Sequence, residues 1–462
     1  MPRKGVLMDI RVLKLKNFGR FANLGVRLAS SDTHLSNVTV IVGNNGAGKT
    51  TLLRSLATTL SWLVARIRTE KGNGTHIADE DIQNGFSASY ASIVVADFLA
   101  AHTEKLDESS DEYVFVWGVA RGRQGRKHAV HSELSEASRL ADFYRTRLTA
   151  DGKASLPLIA YYPVERSVLE IPLKIKTKHT FDQLDGYDNS LNRGVDFRRF
   201  FEWFRQREDS ENETGISDTA LAEISEKFGT QSDVWKTLAA MKASSRDRQL
   251  AAVRAAIAAF MTGFTNLRVQ RKPRLHMAID KNGVTLNVAQ LSQGEKSMMA
   301  LVGDIARRLA MMNPSMNNPL HGDGIVLIDE VDLHLHPRWQ RSLIRQLSET
   351  FPNCQFVLTT HSPLVISDAK DALIYVLNDG ELHEHKGLYG MDANQVLLEV
   401  MDTDIRNSDV QKRLNRLLKE VQDGNLDEAK LLFAELSSEL PEGHIELAKA
   451  ALLIRKLELR RA

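Results

Sequence analysis

The chain has 462 residues, 43% of them hydrophobic and 26% charged, a balance that buries a sizeable core and excludes a disordered chain. Sixty Lys and Arg against 59 Asp and Glu leave a formal charge of +1, so neither a nucleic-acid coat protein nor a polyanion mimic is indicated and any basic binding face must be local. The single cysteine, Cys354, excludes an intrachain disulfide framework and fits a reducing, cytoplasmic compartment, while no apolar run reaches the roughly 20 residues that span a bilayer, so no membrane partner is expected.

From Ile10 the residues alternate in polarity to Lys16, turn at Asn17 to Arg20 and alternate again through Leu28, which predicts a half-buried hairpin. Val38 to Val42 is continuously apolar or β-branched and runs into a glycine loop, the pattern of a strand buried on both faces. The next segment places Leu52, Leu56, Leu60, Leu63 and Ile67 on one helical face. Strands are expected at 92–95, 113–119 and 158–162, and helices at 197–207 and 246–264. After Ser292 come a helix, a strand at 325–328, a helix, a strand at 355–359 and a β segment at 372–377, an alternation that implies a largely parallel sheet. From Asp409 the periodicity is helical, with breaks at Gly424-Asn425 and Pro441-Glu442-Gly443, giving three helices. The expected organisation is an N-terminal lobe (1–165), a mostly helical insertion (166–280), a C-terminal lobe (281–395) and a helical docking tail (396–462).

Gly43-Asn44-Asn45-Gly46-Ala47-Gly48-Lys49-Thr50, followed by Thr51, fits G-x-x-x-x-G-K-[ST] and lies between a strand and a helix as that motif requires. Its glycines allow backbone N–H groups to curl around phosphates, Lys49 supplies a point charge, and Thr50 offers a hydroxyl to Mg²⁺, so ATP and Mg²⁺ are the expected ligands. Ile325-Val326-Leu327-Ile328-Asp329-Glu330 is an apolar strand ending in two carboxylates at its carboxyl end. Asp329 is the candidate for Mg²⁺ and Glu330 for orienting or deprotonating the attacking water. Leu291-Ser292-Gln293-Gly294-Glu295-Lys296 opens a helix that Ser292 can cap.

A phosphate loop, an LS-x-G-E segment, a DE-ended strand and a later histidine, in that order, resemble the ABC ATPase superfamily over roughly residues 10–70 and 280–380. The resemblance implies an α/β fold: a P-loop head of mostly parallel sheet plus an antiparallel subdomain, a helical insertion and a C-terminal helical bundle. It also implies homodimerisation over two nucleotides, with assembly into a higher oligomer, Ser292 and Gly294 of the signature segment acting on the nucleotide of the opposite copy with Glu295 beside them, Asp332 in a D-loop of residues 331–337, and His361 sensing the γ-phosphate. The glutamine that this family carries after the strand leaving the antiparallel subdomain is not found; the corresponding stretch reads Tyr161-Tyr162-Pro163-Val164-Glu165-Arg166. The long span between Lys49 and Ser292, and the opening hairpin, favour the RecF, SMC and OLD-like branch. Within it, the segments 291–296, 329–337 and 359–364, followed by a helical tail, look like the RecF-like AAA/ABC ATPases of bacterial defence islands, such as the ATPase subunits of Septu antiphage systems, which work with an HNH endonuclease. That likeness implies an HNH-type partner docked on the C-terminal helices and no nuclease activity in this chain. The alternative is a RecF-like DNA-binding ATPase of recombination and repair. Three basic clusters, 121–128, 174–179 and 268–274, are the candidates for DNA contact. His334 and His336 share a side but lack a third metal ligand.

Overall fold

The computed structural model describes all residues except 1–7, 31–33, 35, 99–111, 124, 126–129, 165–180, 193–194, 215–217, 239–245, 402, 404–405 and 462. It divides into two compact units, Met1–Met391 and Asp392–Ala462.

The first unit begins with the expected hairpin, β1 (Met8–Phe18) and β2 (Phe21–Arg27), reversed at Asn17 and Gly19, both with positive φ. β4 (Ala88–Asp97) and β5 (Tyr113–Gly122) extend it into an antiparallel sheet of order β2-β1-β4-β5. A second sheet has the order β13-β12-β3-β11-β10-β6. It is built from β3 (Val38–Gly43), β6 (Leu158–Tyr162), β10 (Gly324–Ile328), β11 (Cys354–Thr360), β12 (Leu373–Asn378) and β13 (Glu381–His385), and every pairing is parallel except β12 with β13. Every residue of β3, β6, β10 and β11 is buried, which is what covering both faces of a parallel sheet demands and why these segments read as unbroken apolar runs.

Helix α1 (Lys49–Arg68) packs across β3, β11, β10 and β6, burying Leu52, Leu56, Leu60 and Leu63. Then come α2 (Ser135–Ala150), α3 (Phe197–Thr214), α4 (Asp218–Phe228) and α5 (Arg248–Phe260). The aromatic group Phe197, Phe200, Phe201, Trp203 and Phe204 on α3 is buried, so it is core and not a base-stacking platform. The stretch expected to be mostly helical to residue 280 closes in a three-stranded sheet of β7 (Phe264–Gln270), β8 (His276–Lys281) and β9 (Val284–Asn287). A register shift between Thr265 and Arg268 breaks the alternation of apolar residues, which hides β7 from a period-two reading. Helices α6 (Gln293–Met312), α7 (Pro337–Thr350) and α8 (Pro363–Ser367) complete the unit.

In the second unit, α9 (Ala393–Glu399) precedes α10 (Ser408–Gln422), α11 (Leu426–Glu439) and α12 (Ile445–Arg461). The breaks fall at Gly424 and Gly443, both with positive φ that glycine adopts without a Cβ penalty. The last three helices pack on one another around Leu414, Leu417, Leu432, Leu436, Leu447 and Ile454. Among the described residues, no helix is long and apolar enough to cross a membrane.

Candidate nucleotide site

The site is built where β3 gives way to α1. Gly48 caps α1 at φ 112, and a Cβ there would lie 2.8 Å from the Phe21 ring, so the opening hairpin presses directly on the loop. No side chain caps α1 and no acidic residue sits in its first turn, leaving the positive end of the helix for an anion. Lys49 is buried and its Nζ donates to the carbonyls of Gly43 (2.7 Å) and Asn44 (3.1 Å), while the Ala47 N–H closes the loop onto the Asn44 carbonyl. Burial lowers the Lys49 amine from its ordinary value, although Asp329, Glu330 and Asp332 pull the other way. The loop frames a cavity of about 230 Å³ lined by Asn45, Gly46, Gly48, Lys49, Thr50 and Thr51, with Glu330 and His361 facing them.

The carboxylates arrive from the end of β10. Asp329 is fully buried; its backbone N–H donates to Tyr162 (2.9 Å) and its Oδ1 accepts from the Thr359 hydroxyl, but its Oδ2 has no hydrogen-bond partner among the described residues. An orphaned buried carboxylate oxygen costs free energy unless a cation or its water shell meets it, so with the Thr50 hydroxyl the donor set is all oxygen and fits Mg²⁺. Glu330 turns away from the strand at φ 44, a left-handed conformation costing on the order of 1–3 kcal/mol in a non-glycine residue, and its N–H donates to Thr359 Oγ1 (2.7 Å). That turn sets Glu330 on the cavity wall. Asp332 lies outside the cavity, where its Oδ1 accepts from the Thr360 hydroxyl and from the His361 N–H (3.4 Å). His361 is pushed below the ordinary imidazole value by burial first and by Lys49 second, so it is neutral at pH 7.

Ser292, Gly294 and Glu295 stand apart from this cavity. Ser292 is exposed and forms a reciprocal capping box: its Oγ accepts from Glu295 N (3.3 Å) and its N–H donates to Glu295 Oε2 (2.8 Å). Glu295 is fixed in turn by Lys281 from β8 (2.7 Å). A Cβ on Gly294 would lie 2.3 Å from the His334 carbonyl, so the start of α6 rests on the turn at His334 of its own chain. Farther along α6, buried Asp304 accepts from Arg307 (2.6 Å), Arg308 (2.7 Å) and the Tyr162 hydroxyl (3.0 Å), tying the signature helix to β6 beside the carboxylate-bearing strand. Burial would raise the Asp304 carboxyl, and Arg308 and Arg307 outweigh it.

Three contributors escaped the sequence reading. Arg20, at the hairpin tip, lines the cavity, and its signal was only its place in a turn that proves to touch the loop. Thr359 orients Asp329 and Thr360 orients Asp332, and two hydroxyls at the carboxyl end of β11 were the visible sign. Glu165 and Arg166, with residues 174–179 and 126–128 of the basic clusters, lie outside the described residues. In the third cluster, Arg268 pairs with Asp280 (3.0 Å) and Arg271 with Asp209, so these guanidiniums are already engaged within the fold. His336 caps α7 through its ring nitrogen (3.3 Å), and no metal-binding group of His, Cys, Asp and Glu occurs among the described residues.

A family profile described as "AAA domain, putative AbiEii toxin, Type IV TA system" matches residues 142–367, and one described as "AAA domain" matches residues 13–232. The chain is 34% identical over 393 residues to the retron Vc95 probable ATPase of Vibrio cholerae serotype O1 biovar El Tor, covering 80% of this chain and 73% of that one. It is also 34% identical over 431 residues to the retron Ec83 probable ATPase of Escherichia coli, covering 85% and 76%. The Septu protein PtuA of Bacillus mycoides (strain KBAB4) matches at 42% identity over 94 residues, 20% of this chain and 13% of that one. Among solved structures, an Smc head bound to the C-winged helix domain of ScpA is similar at TM-score 0.43 and 17% identity, covering 81% and 97% of the two chains. With this identity across most of both retron proteins, the chain belongs to their family, the ABC-class AAA ATPases of defence systems, and is an ATPase.

Proposed function

We propose that two copies of the chain close over two ATP molecules, each site combining the phosphate loop, Asp329 and Glu330 of one copy with Ser292, Gly294 and Glu295 of the other, and that this cycle governs a partner nuclease of the HNH type. The observation that carries the reading is that the signature segment forms no part of the cavity in its own chain, yet starts an ordered helix and presents exposed Ser292. A capped, exposed segment outside the cavity of its own chain supports action on a second molecule.

In this reading Thr50 and Asp329 hold Mg²⁺, which when bound neutralises charge on the β- and γ-phosphates. Lys49 leaves the Gly43 and Asn44 carbonyls for phosphate oxygens, and the free N–H groups at the start of α1 orient them. Glu330 accepts the proton of the attacking water at its carboxylate. Neutral His361 offers a ring N–H without adding charge, and Asp332 steadies its backbone. Arg20, Asn45, Gly46 and Thr51 close the cavity wall.

The partner's docking place in this reading is α12. Ile445, Leu452 and Leu459, spaced seven apart, are 68%, 70% and 74% exposed, an apolar stripe that the three-helix core leaves outside. The partial match to a Septu protein supports a role in defence over one in DNA repair, and the engaged arginines of the third basic cluster weaken the latter.

A mixing experiment tests the composite site. Lys49→Ala and Ser292→Arg copies should each hydrolyse ATP poorly, and an equimolar mixture should recover activity, because one site of each mixed dimer then has an intact phosphate loop and an intact signature. A mixture no more active than its components would overturn the two-copy site.

A further inference from the structure

A concavity of the first unit lies away from the nucleotide site, at the opposite end of α1. It has a volume of about 710 Å³ and is walled by the last turns of α1, by the loop 187–192 and by the start of α3. The size suits a nucleotide-sized molecule, well above what a single ion or water cluster fills.

Its walls combine two kinds of group. Asp188 is clasped by two guanidiniums, Arg68 (2.5 Å) and Arg199 (2.7 Å), and each guanidinium carries five N–H donors of which this contact spends few. Neither arginine has another side-chain hydrogen bond among the described residues, so the pair keeps one positive charge beyond Asp188 and spare donors in a fork that suits phosphate, while Arg198 on the same wall is paired with Glu202 (3.3 Å) and Asp196 adds a carboxylate. Ser190 lines the same cavity, is 3% exposed, and its hydroxyl has no hydrogen-bond partner among the described residues. A buried hydroxyl left unpaired carries a desolvation cost that a ligand oxygen would remove. Asn189 and Asn192 add side-chain amides that make no hydrogen bond within the described chain, and Asn189 is held at φ 51. An amide presents a donor beside an acceptor, the complement of a nucleobase edge.

The cavity wall is also anchored to the ATPase machinery. Arg308 of the signature helix donates to the carbonyls of Gly186 (2.6 Å) and Asp188 (3.1 Å), and the Tyr161 N–H of β6 donates to the Ser190 carbonyl (2.7 Å).

We propose that this cavity is a second nucleotide-binding site, in which Arg68, Arg199 and Ser190 take a phosphate and the asparagine amides read a base, separate from the ATP that the phosphate loop holds. The phosphate and base can belong to a free mononucleotide or to the end of a nucleic-acid strand, and the chemistry recognised is the same. The inference goes beyond the ATPase reading and does not depend on it.

The test is calorimetric titration of the full chain carrying Lys49→Ala with each of the four ribonucleoside 5′-monophosphates, then with a 5′-phosphorylated dinucleotide and decanucleotide. One ligand per chain is expected, with affinity falling at least tenfold in Asn192→Leu and in Arg199→Lys, while Arg338→Ala, a change on α7 outside the cavity, has no effect. Saturation by a monophosphate identifies a free nucleotide as the source. Saturation by the phosphorylated oligonucleotides alone, with the same sensitivity to the two variants, identifies a strand end. The proposal is overturned if neither class binds, or if binding persists unchanged in Asn192→Leu and Arg199→Lys. It is also overturned if binding occurs with Lys49 intact and vanishes in Lys49→Ala, since the phosphate loop would then account for all of it. Far-ultraviolet circular dichroism of each variant separates lost binding from lost fold.

Discussion

The nucleotide cavity and the C-terminal helices expose opposite kinds of unfinished surface. At the nucleotide site, the incompleteness is polar and buried: an Asp329 oxygen without a partner among the described residues, a lysine parked on carbonyls, and a helix start with no side-chain cap. On α12 it is apolar and exposed, a stripe of Ile445, Leu452 and Leu459 that no neighbouring helix of the bundle covers. The energetics point the two regions at different ligands. An unmatched buried charge is relieved by a small ion or phosphate, whereas exposed apolar area is relieved only by the broad surface of another macromolecule. If the two regions are separable modules, changes in one should leave the other's binding intact.

The largest separation is expected at Glu330. Glu330→Gln preserves shape and hydrogen bonding but removes the proton acceptor, so turnover should fall by roughly 10²- to 10⁴-fold with ATP binding and tail-mediated assembly unchanged. Steady-state hydrolysis beside equilibrium ATP binding measures both, and turnover near wild type would remove Glu330 from the mechanism. Lys49→Ala should act one step earlier. Losing a charged hydrogen-bond donor worth about 1.5–3 kcal/mol weakens ATP binding by roughly 10- to 100-fold. Because the hydrogen bonds of the lysine among the described residues go only to the Gly43 and Asn44 carbonyls, the thermal midpoint should move little, and a large fall in stability would show that Lys49 is a structural strut instead.

How much of this was readable beforehand follows from where each signal lies along the chain. The phosphate loop and the strand ending in Asp329 and Glu330 are contiguous motifs whose spacing fixes their geometry, and so they could be read from local sequence. The parallel sheet was readable for a related reason, because strands buried on both faces keep their apolar residues in one run, as β3 and β10 do. The tail helices were bounded by Gly424 and Gly443, whose positive φ ends a helix whatever surrounds it. What stayed hidden depends on approach between distant segments. Arg20 reaches the cavity only because Phe21 packs on Gly48, and Thr359 matters only because β11 lies beside β10. The clasp of Asp188 by Arg199 and the distant Arg68 joins positions none of which belongs to a motif.

On the tail, Leu452→Glu is the corresponding probe. At 70% exposure the substitution removes no core contact, so the bundle should keep its stability while a charge is set in the middle of the stripe. Assembly with the partner should weaken on the order of tenfold or more, the cost of burying an unpaired carboxylate, while ATP affinity stays within about twofold. Mass photometry of the complex together with nucleotide titration reads both. Unchanged assembly would remove α12 as the docking surface, and a matching loss of ATP affinity would show that the regions are not separable.

The smallest effect is expected from pH, and it bears on the cavity alone. His361 faces Lys49, Glu330, Asp332 and Asp329, and the balance of burial and the lysine charge against the three carboxylates leaves its folded-state value below the ordinary 6.5. A base whose folded value is depressed binds fewer protons folded than unfolded near pH 6.5. Its stabilising contribution is therefore complete above 6.5 and is lost as pH falls through the lower folded value. The same order governs hydrolysis, because the neutral ring persists through the range in which a free histidine would already be half charged. Turnover should consequently change by no more than about twofold on this account between pH 8 and pH 6.5, then decline at lower pH as the imidazolium forms beside Lys49 and repels it. Comparing the pH profile of kcat for the wild type with that of His361→Gln isolates the contribution, since glutamine keeps a donor and an acceptor but does not titrate. An acid limb centred at or above pH 6.5 that disappears in His361→Gln would mean that the carboxylates outweigh burial and Lys49, and that His361 enters the cavity as a cation.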